Sequence, residues 1–117
     1  MKKKYIVKTE KDFSNIIKNG FCIKNKYFVI HFKKNDLDYD RYGISVSKKL
    51  GNAVFRNKYK RKLRSIIDNY KKNYVNFEDY IIILRKEAIN QSYQVLENEF
   101  FALMNIKKGR KENEKEK

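Results

Sequence analysis

Between Lys48 and Lys72 the chain carries ten basic residues, Lys48, Lys49, Arg56, Lys58, Lys60, Arg61, Lys62, Arg64, Lys71 and Lys72, against a single acid, Asp68. Exposed helical faces ordinarily mix signs through pairs three and four residues apart. Like charges at this spacing repel one another unless an anion lies across them. Arginine adds geometry to charge, because its guanidinium forks onto two phosphate oxygens at once. Asn52 is placed to cap a helix, and the unpaired N–H groups and positive dipole end of that helix start also favour anions.

Residues set about 100° apart around a helix over 52–72, with Phe55 at zero, divide into two arcs. Phe55, Tyr59, Leu63, Ile66, Ile67 and Tyr70 fall within about 0–120°, a core face. Arg56, Asn57, Lys60, Arg61, Arg64 and Lys71 fall within about 100–240°, a cationic ridge suited to a phosphate strand.

Other candidates for chemistry are few. Asp36, Asp38 and Asp40 form the one carboxylate cluster, enough for a single divalent ion at most, and a solvated connection between strands accounts for them more simply. His31 is the only histidine, with no evident partner for a catalytic or metal-binding role. Cys22 is the only cysteine, which excludes an internal disulfide and a cysteine-based zinc site and fits a reducing cytoplasm. Without paired histidines, a nucleophile motif or a glycine-rich phosphate loop, hydrolysis by the polypeptide alone is not expected.

The whole chain shares the bias of its basic segment. Its 117 residues hold 29 Lys and Arg against 14 Asp and Glu, a formal charge of +15. AT-rich codons would raise Lys, but they would raise Asp and Glu as well, so the excess points to a polyanionic partner. The N-terminal MKKKYIVKTEKDF is not followed by an apolar stretch, and nothing approaches the roughly 18–20 apolar residues of a membrane span. A membrane-surface helix would need a spare apolar face, and the helices here need theirs for a core. A soluble, cytoplasmic, single-domain protein is expected.

Several elements must position these residues. Thr9 can cap a helix over 10–19 with Phe13, Ile16 and Ile17 on one face, closed by Gly20 as a C′ residue. Residues 21–32 read as a short strand and a longer one, broken at Lys24-Asn25-Lys26. After the polar connection KKNDLDYD, residues 42–47 alternate as a strand, for which a hairpin with the preceding strand is expected. Gly51 allows the tight entry to the 52–72 helix. DYIIILRK over 79–86 is an apolar run suited to a strand covered on both faces, with a parallel partner. Ser92 can cap a final helix over 92–107, with Leu96, Phe100, Leu103 and Met104 as its stripe, before a charged tail over 109–117 that is expected to be disordered.

The segment SVSKKLGNAVFRNKYKRKLR, Ser45 to Arg64, closely resembles the signature of the ribonuclease P protein family. The matching positions are Gly51-Asn52-Ala53-Val54, Arg56-Asn57, Lys60-Arg61 and Arg64. Lys58 departs from the arginine that often completes the family's RNR triplet, which keeps the charge and loses the fork. The likeness extends to Lys11-Asp12-Phe13, Lys18-Asn19-Gly20 and DYIIILRK, leaving out the tail and the KKNDLDYD loop. It implies a domain over 1–108 with an α+β sandwich in the order α-β-β-β-α-β-α. The sheet would be four-stranded and mixed, with a left-handed βαβ crossover against the usual rule.

In function the resemblance implies the protein subunit of an endoribonuclease whose catalytic component is RNA, assisting removal of the 5′ leader of precursor tRNA. Mg²⁺ would be held mainly by the RNA, and neither a membrane nor an obligate protein partner is implied. Carried over by position, Arg56, Asn57, Lys60, Arg61 and Arg64, supported by Lys48 and Lys49, would face the catalytic RNA. Phe13, Ile17, His31 and Ser45 would line a cleft for the leader, through stacking and hydrogen bonding. Ile17 and His31 stand where Phe and Tyr are common, which shifts stacking toward Phe13 and His31. A ribosomal or generic RNA-binding protein shares the charge and size but does not need this spacing.

Overall fold

The computed structural model describes the backbone of residues 2–115 and the side chains of residues 2–107. Three helices, α1 (Glu10–Asn19), α2 (Ala53–Lys71) and α3 (Tyr93–Lys115), combine with strands β1 (Phe21–Lys24), β2 (Phe28–Lys34), β3 (Arg41–Ser45) and β4 (Glu78–Leu84). Each helix begins on the cap its sequence offers. Thr9 Oγ1 accepts from Asp12 N at 3.1 Å, Asn52 Oδ1 from Phe55 N at 2.9 Å and Ser92 Oγ from Val95 N at 3.2 Å, each satisfying one otherwise orphaned N–H.

Gly20 ends α1 without entering the left-handed region, at φ −98°. It is not the left-handed C′ residue expected. A side chain there is excluded by space instead, since a Cβ would lie 2.6 Å from Ile16 O and closer still to Phe32 O.

The sheet runs β1-β2-β4-β3, antiparallel except for the parallel β3–β4 pair. The hairpin expected between β2 and β3 does not form, because β4 inserts between them. Its run Tyr80–Leu84 is buried at every position but Ile83, and the central place gives such a strand neighbours at both edges and cover on both faces. The 35–40 connection therefore has to cross the start of β4, where its two ends are anchored while Asp36, Leu37 and Asp38 stay exposed. Asp40 is buried, with Oδ1 accepting from Glu78 N at 2.6 Å and Oδ2 from Asn76 N at 2.9 Å. Asn35 Nδ2 donates to Asp79 Oδ1 at 2.9 Å.

Two unequal layers flank the sheet. On one face Phe28, Ile30, Tyr42, Tyr80 and Ile82 pack under Tyr59, Leu63, Ile66, Ile67 and Tyr70 of α2 and Leu96, Phe100, Leu103 and Met104 of α3. Both apolar stripes read from the sequence are this core, and each fully buried aliphatic or aromatic side chain contributes about 1.5–3 kcal/mol. On the other face, among the described residues, a smaller cluster of Val7, Ile16 and Ile81 is buried, with Phe13 and Ile83 packed against it. The backbone of α3 continues past 107 to Lys115; the remainder of the 109–117 tail expected from the sequence, with the side chains beyond Lys107, lies outside the described residues.

Candidate RNA interface

The ridge takes shape along the outer side of α2. Asn57, Arg61 and Arg64 are exposed, and Arg56 and Lys60 are half-buried beside the core stripe. Arg61 Nε reaches back to Asn57 O at 3.5 Å. Among the described residues none of Arg56, Asn57, Lys60, Arg61 or Arg64 makes an ion pair. Arg56 Nε is buried with no hydrogen-bond partner, a donor whose desolvation cost an approaching acceptor would relieve. Lys48 and Lys49 are exposed on a 3₁₀ turn, Lys48–Leu50, ahead of the helix, where Ser47 Oγ accepts from Lys49 N at 3.2 Å.

Lys71 shares the ridge's arc but not its surroundings. Its Nζ lies 3.5 Å from the centre of the Tyr5 ring, and burial lowers its pKa. It packs on a ring of the N-terminal segment, which Lys4 also approaches at 5.0 Å.

The cleft residues gather on the thinly covered face of the sheet. Register sets His31 and Gly43 on either side of Ile81, and Ser45 beside Ile83. Strand alternation therefore points His31, Gly43 and Ser45 toward α1, with Ile81 and Ile83 as the floor. Phe13 of α1 lies over Gly43, where a Cβ would come within 2.6 Å of its Cζ and 3.0 Å of Ile81 Cδ1. Glycine is what lets this ring reach the sheet. Ile17 is 43% exposed one turn further on, and partial burial lowers the pKa of His31, favouring neutral imidazole.

A cavity of about 110 Å³ links the two sets. Ile6, Phe13 and Gly43 form its apolar side, and Lys60 and Arg64 reach it around β3 from α2. Because β3 is an edge strand, the aromatic of one layer and the cations of the other meet across a single strand. Gly43, Ile81 and Ile83 escaped the sequence reading. Alternation along β3 could have placed Gly43 beside Ser45, but the pairing that supplies the isoleucine floor is non-local. The aspartates separate, Asp36 and Asp38 remaining exposed while Asp40 turns inward, and no metal-holding cluster occurs among the described residues.

Fold and surface together define a small basic α+β protein with a cationic ridge along one helix. The family model for ribonuclease P matches residues 1–108. The ribonuclease P protein component of Streptococcus pneumoniae (strain Hungary19A-6) is 42% identical over 108 residues, covering 92% of this chain and 88% of its own. Among solved structures, the Staphylococcus aureus RNase P protein superposes with a TM-score of 0.82 at 38% identity, covering 89% of this chain and 95% of that one. The Thermotoga maritima RNase P protein gives 0.78 at 34% identity, covering 83% and 92%. The chain belongs to the ribonuclease P protein family, and its place is that of the protein component of this tRNA-processing ribonucleoprotein. No helix among the described residues is long and apolar enough to cross a membrane.

Proposed function

We propose that the α2 ridge binds the catalytic RNA of ribonuclease P while the face under α1 binds the single-stranded 5′ leader of precursor tRNA. The carrying observation is the cavity that sets Phe13 beside Lys60 and Arg64 across β3. One surface offers phosphate contacts, the adjoining one a ring and a polar strand face, and a strand leaving the RNA for the cleft would meet both in turn. Arg56, Lys60, Arg61 and Arg64 neutralise phosphates, with Asn57, Lys48 and Lys49 in support. Phe13 stacks on a leader base, Ile17 packs at its edge, and His31 and Ser45 provide hydrogen-bonding groups.

Endonucleolytic cleavage is assigned to the RNA. Mg²⁺ fits poorly on this chain, since Asp40 is held by two backbone N–H groups and the three aspartates form no metal-holding cluster among the described residues. No step is routed through protein-bound metal. The protein's work is positional, holding leader and catalytic RNA in one frame and so broadening the substrates that are cleaved, in the cytoplasm.

Reconstitution tests this reading. Leader removal by the cognate RNA at low Mg²⁺ should accelerate on adding the protein, the protein alone should cleave nothing, and unrelated duplex RNA should bind more weakly. Equal affinity for all RNAs with no acceleration would leave a generic RNA-binding protein.

A further inference from the structure

A third cluster of rings and cations lies apart from the ridge and the cleft. It forms where the 3₁₀ turn Lys3–Tyr5 meets the 35–40 loop and the end of α2. The Tyr5 and Tyr39 rings meet edge to face, their centres 5.4 Å apart at 81°. Lys4 Nζ stands 5.0 Å from both rings, and Lys71 Nζ 3.5 Å from Tyr5. A cavity of about 280 Å³ opens among Tyr5, Tyr39, Lys71 and Tyr74, with Asp38 at its rim. A second, of about 240 Å³, shares Tyr39 and is lined by Lys3, Lys4 and Lys8, with the one acid of its lining, Asp12, paired to Arg41 at 3.7 Å.

Folding accounts for only part of this arrangement. Tyr74 packs against the main core, but Tyr5 and Tyr39 belong to neither core cluster and stay half-exposed. Lys3, Lys4 and Lys8 are exposed and make no ion pair among the described residues. An aromatic recess of this kind could hold a cationic ligand or a planar base. The resident Lys4 and Lys71 repel a further cation, and Asp40, the buried carboxylate of the lining, is already committed to the backbone N–H groups of Asn76 and Glu78. A ring with phosphates on either side suits both cavities at once. A base stacked within a duplex cannot enter, so the strand must be unpaired.

We propose that this recess is a third RNA contact, holding one unpaired nucleobase face to face with one of the Tyr5 and Tyr39 rings and against the edge of the other, while Lys3 and Lys8 hold the flanking phosphates. The inference rests on the RNA-binding reading above. The nucleotide can come from the catalytic RNA or from the precursor tRNA, and the recognition chemistry is the same for both.

The test uses the reconstituted holoenzyme. Catalytic RNA or precursor tRNA carrying 5-iodouridine at unpaired positions is irradiated on the unaltered protein, and crosslinked tyrosines are mapped by mass spectrometry. Tyr5 or Tyr39 should be recovered with one of the two RNAs. In parallel, the pair Tyr5→Leu/Tyr39→Leu should weaken either catalytic-RNA binding or precursor binding by the assembled holoenzyme by about tenfold, the scale of one lost base stack. Tyr5→Phe/Tyr39→Phe, which keeps the rings, should not. The arm that moves names the source. Absence of crosslinks to both tyrosines overturns the proposal, as does a folded Leu pair with unchanged affinity in both arms; should the Leu pair fail to fold, the crosslinks on the unaltered protein decide. Running Arg56, Lys60 and Arg64→Gln alongside separates the two readings. If that variant also binds both RNAs normally, RNA binding by the ridge has failed, whereas a silent tyrosine arm beside a responsive ridge removes this third contact alone.

Discussion

The ridge on α2 and the polar cluster at the start of β4 use the same side-chain types to opposite ends. Along the ridge Arg56, Lys60, Arg61 and Arg64 stand beside the core with no acid among them. At β4, Lys107 Nζ of α3 meets Glu78 Oε1 at 2.6 Å with both side chains almost wholly buried, and Arg41 Nε donates to Asp79 Oδ1 at 2.9 Å. A charge taken out of water must find its partner inside the fold. A charge left at the surface costs only mutual repulsion, which an external anion relieves. Pairing therefore marks what holds the molecule together, and under the proposed function its absence along the ridge marks where RNA would bind.

The largest expected effect breaks the paired side. Lys107→Ala leaves Glu78 buried beside Asp40 without its cation and should cost about 3–5 kcal/mol of stability in urea unfolding, while the folded protein keeps its affinity for the catalytic RNA. Lys107→Met with Glu78→Gln should cost less than Lys107→Ala, because no uncompensated charge remains. A loss below about 1 kcal/mol for Lys107→Ala, the range of an exposed pair, would mean that this cluster is no more structural than a surface pair.

The unpaired side should respond in the opposite sense. Changing Arg56, Lys60 and Arg64 to Gln should leave stability within about 0.5 kcal/mol per site, yet weaken holoenzyme assembly. Each lost phosphate contact should lower the slope of log affinity against log salt by about 0.7–0.9, so the triple change lowers it by about two to three. Asp68→Asn on the same helix is the control, since an acid holds no phosphate. An unchanged slope for the triple variant would reduce the ridge to a solvated face.

What was legible in the sequence follows the reach of each interaction. The caps Thr9, Asn52 and Ser92 and the stripe from Phe55 to Tyr70 are local, set by neighbours within a turn or two, and they stand where the sequence put them. The partner of β3 is not local. Nothing in residues 41–45 distinguishes pairing with β2 from pairing with β4, and the choice falls to the one strand apolar enough to need both neighbours. Asp40 looks like any loop acid until that topology makes its loop cross β4. Lys71 occupies the ridge arc by angle, but its ammonium lies over Tyr5, a contact that depends on residues near the N-terminus docking on β3, where Ile6 bridges Tyr42.

Within the cleft the comparison narrows to single side chains. Phe13→Ala should weaken holoenzyme binding of leader-bearing precursor by about 1–3 kcal/mol, the worth of one base–aromatic stack, and leave leaderless tRNA unaffected. Equal losses for both substrates would show that the ring serves only to pack on Gly43 and Ile81, and the cleft would then join the structural side of the comparison.

His31 gives the smallest effect and a test of whether the cleft shares the interior's aversion to charge. Burial lowers its pKa below the ordinary 6.5 of the unfolded chain. As the pH falls below that value, the unfolded state takes up a proton before the folded state does, and folding loses stability. The contribution of His31 is therefore complete above pH 6.5, declines on acidification, and levels off once the folded-state pKa is also passed. His31→Gln removes the titration while keeping a polar side chain, so the difference in stability between parent and variant should shift against the parent between about pH 7.5 and 5.5. Leader affinity offers a second readout. A neutral, stacking imidazole predicts that acidification weakens the leader-dependent part of binding or leaves it flat, whereas a phosphate-binding imidazolium predicts that it strengthens. Strengthening that is lost in His31→Gln would move this residue from the cleft's stacking surface to the company of the ridge.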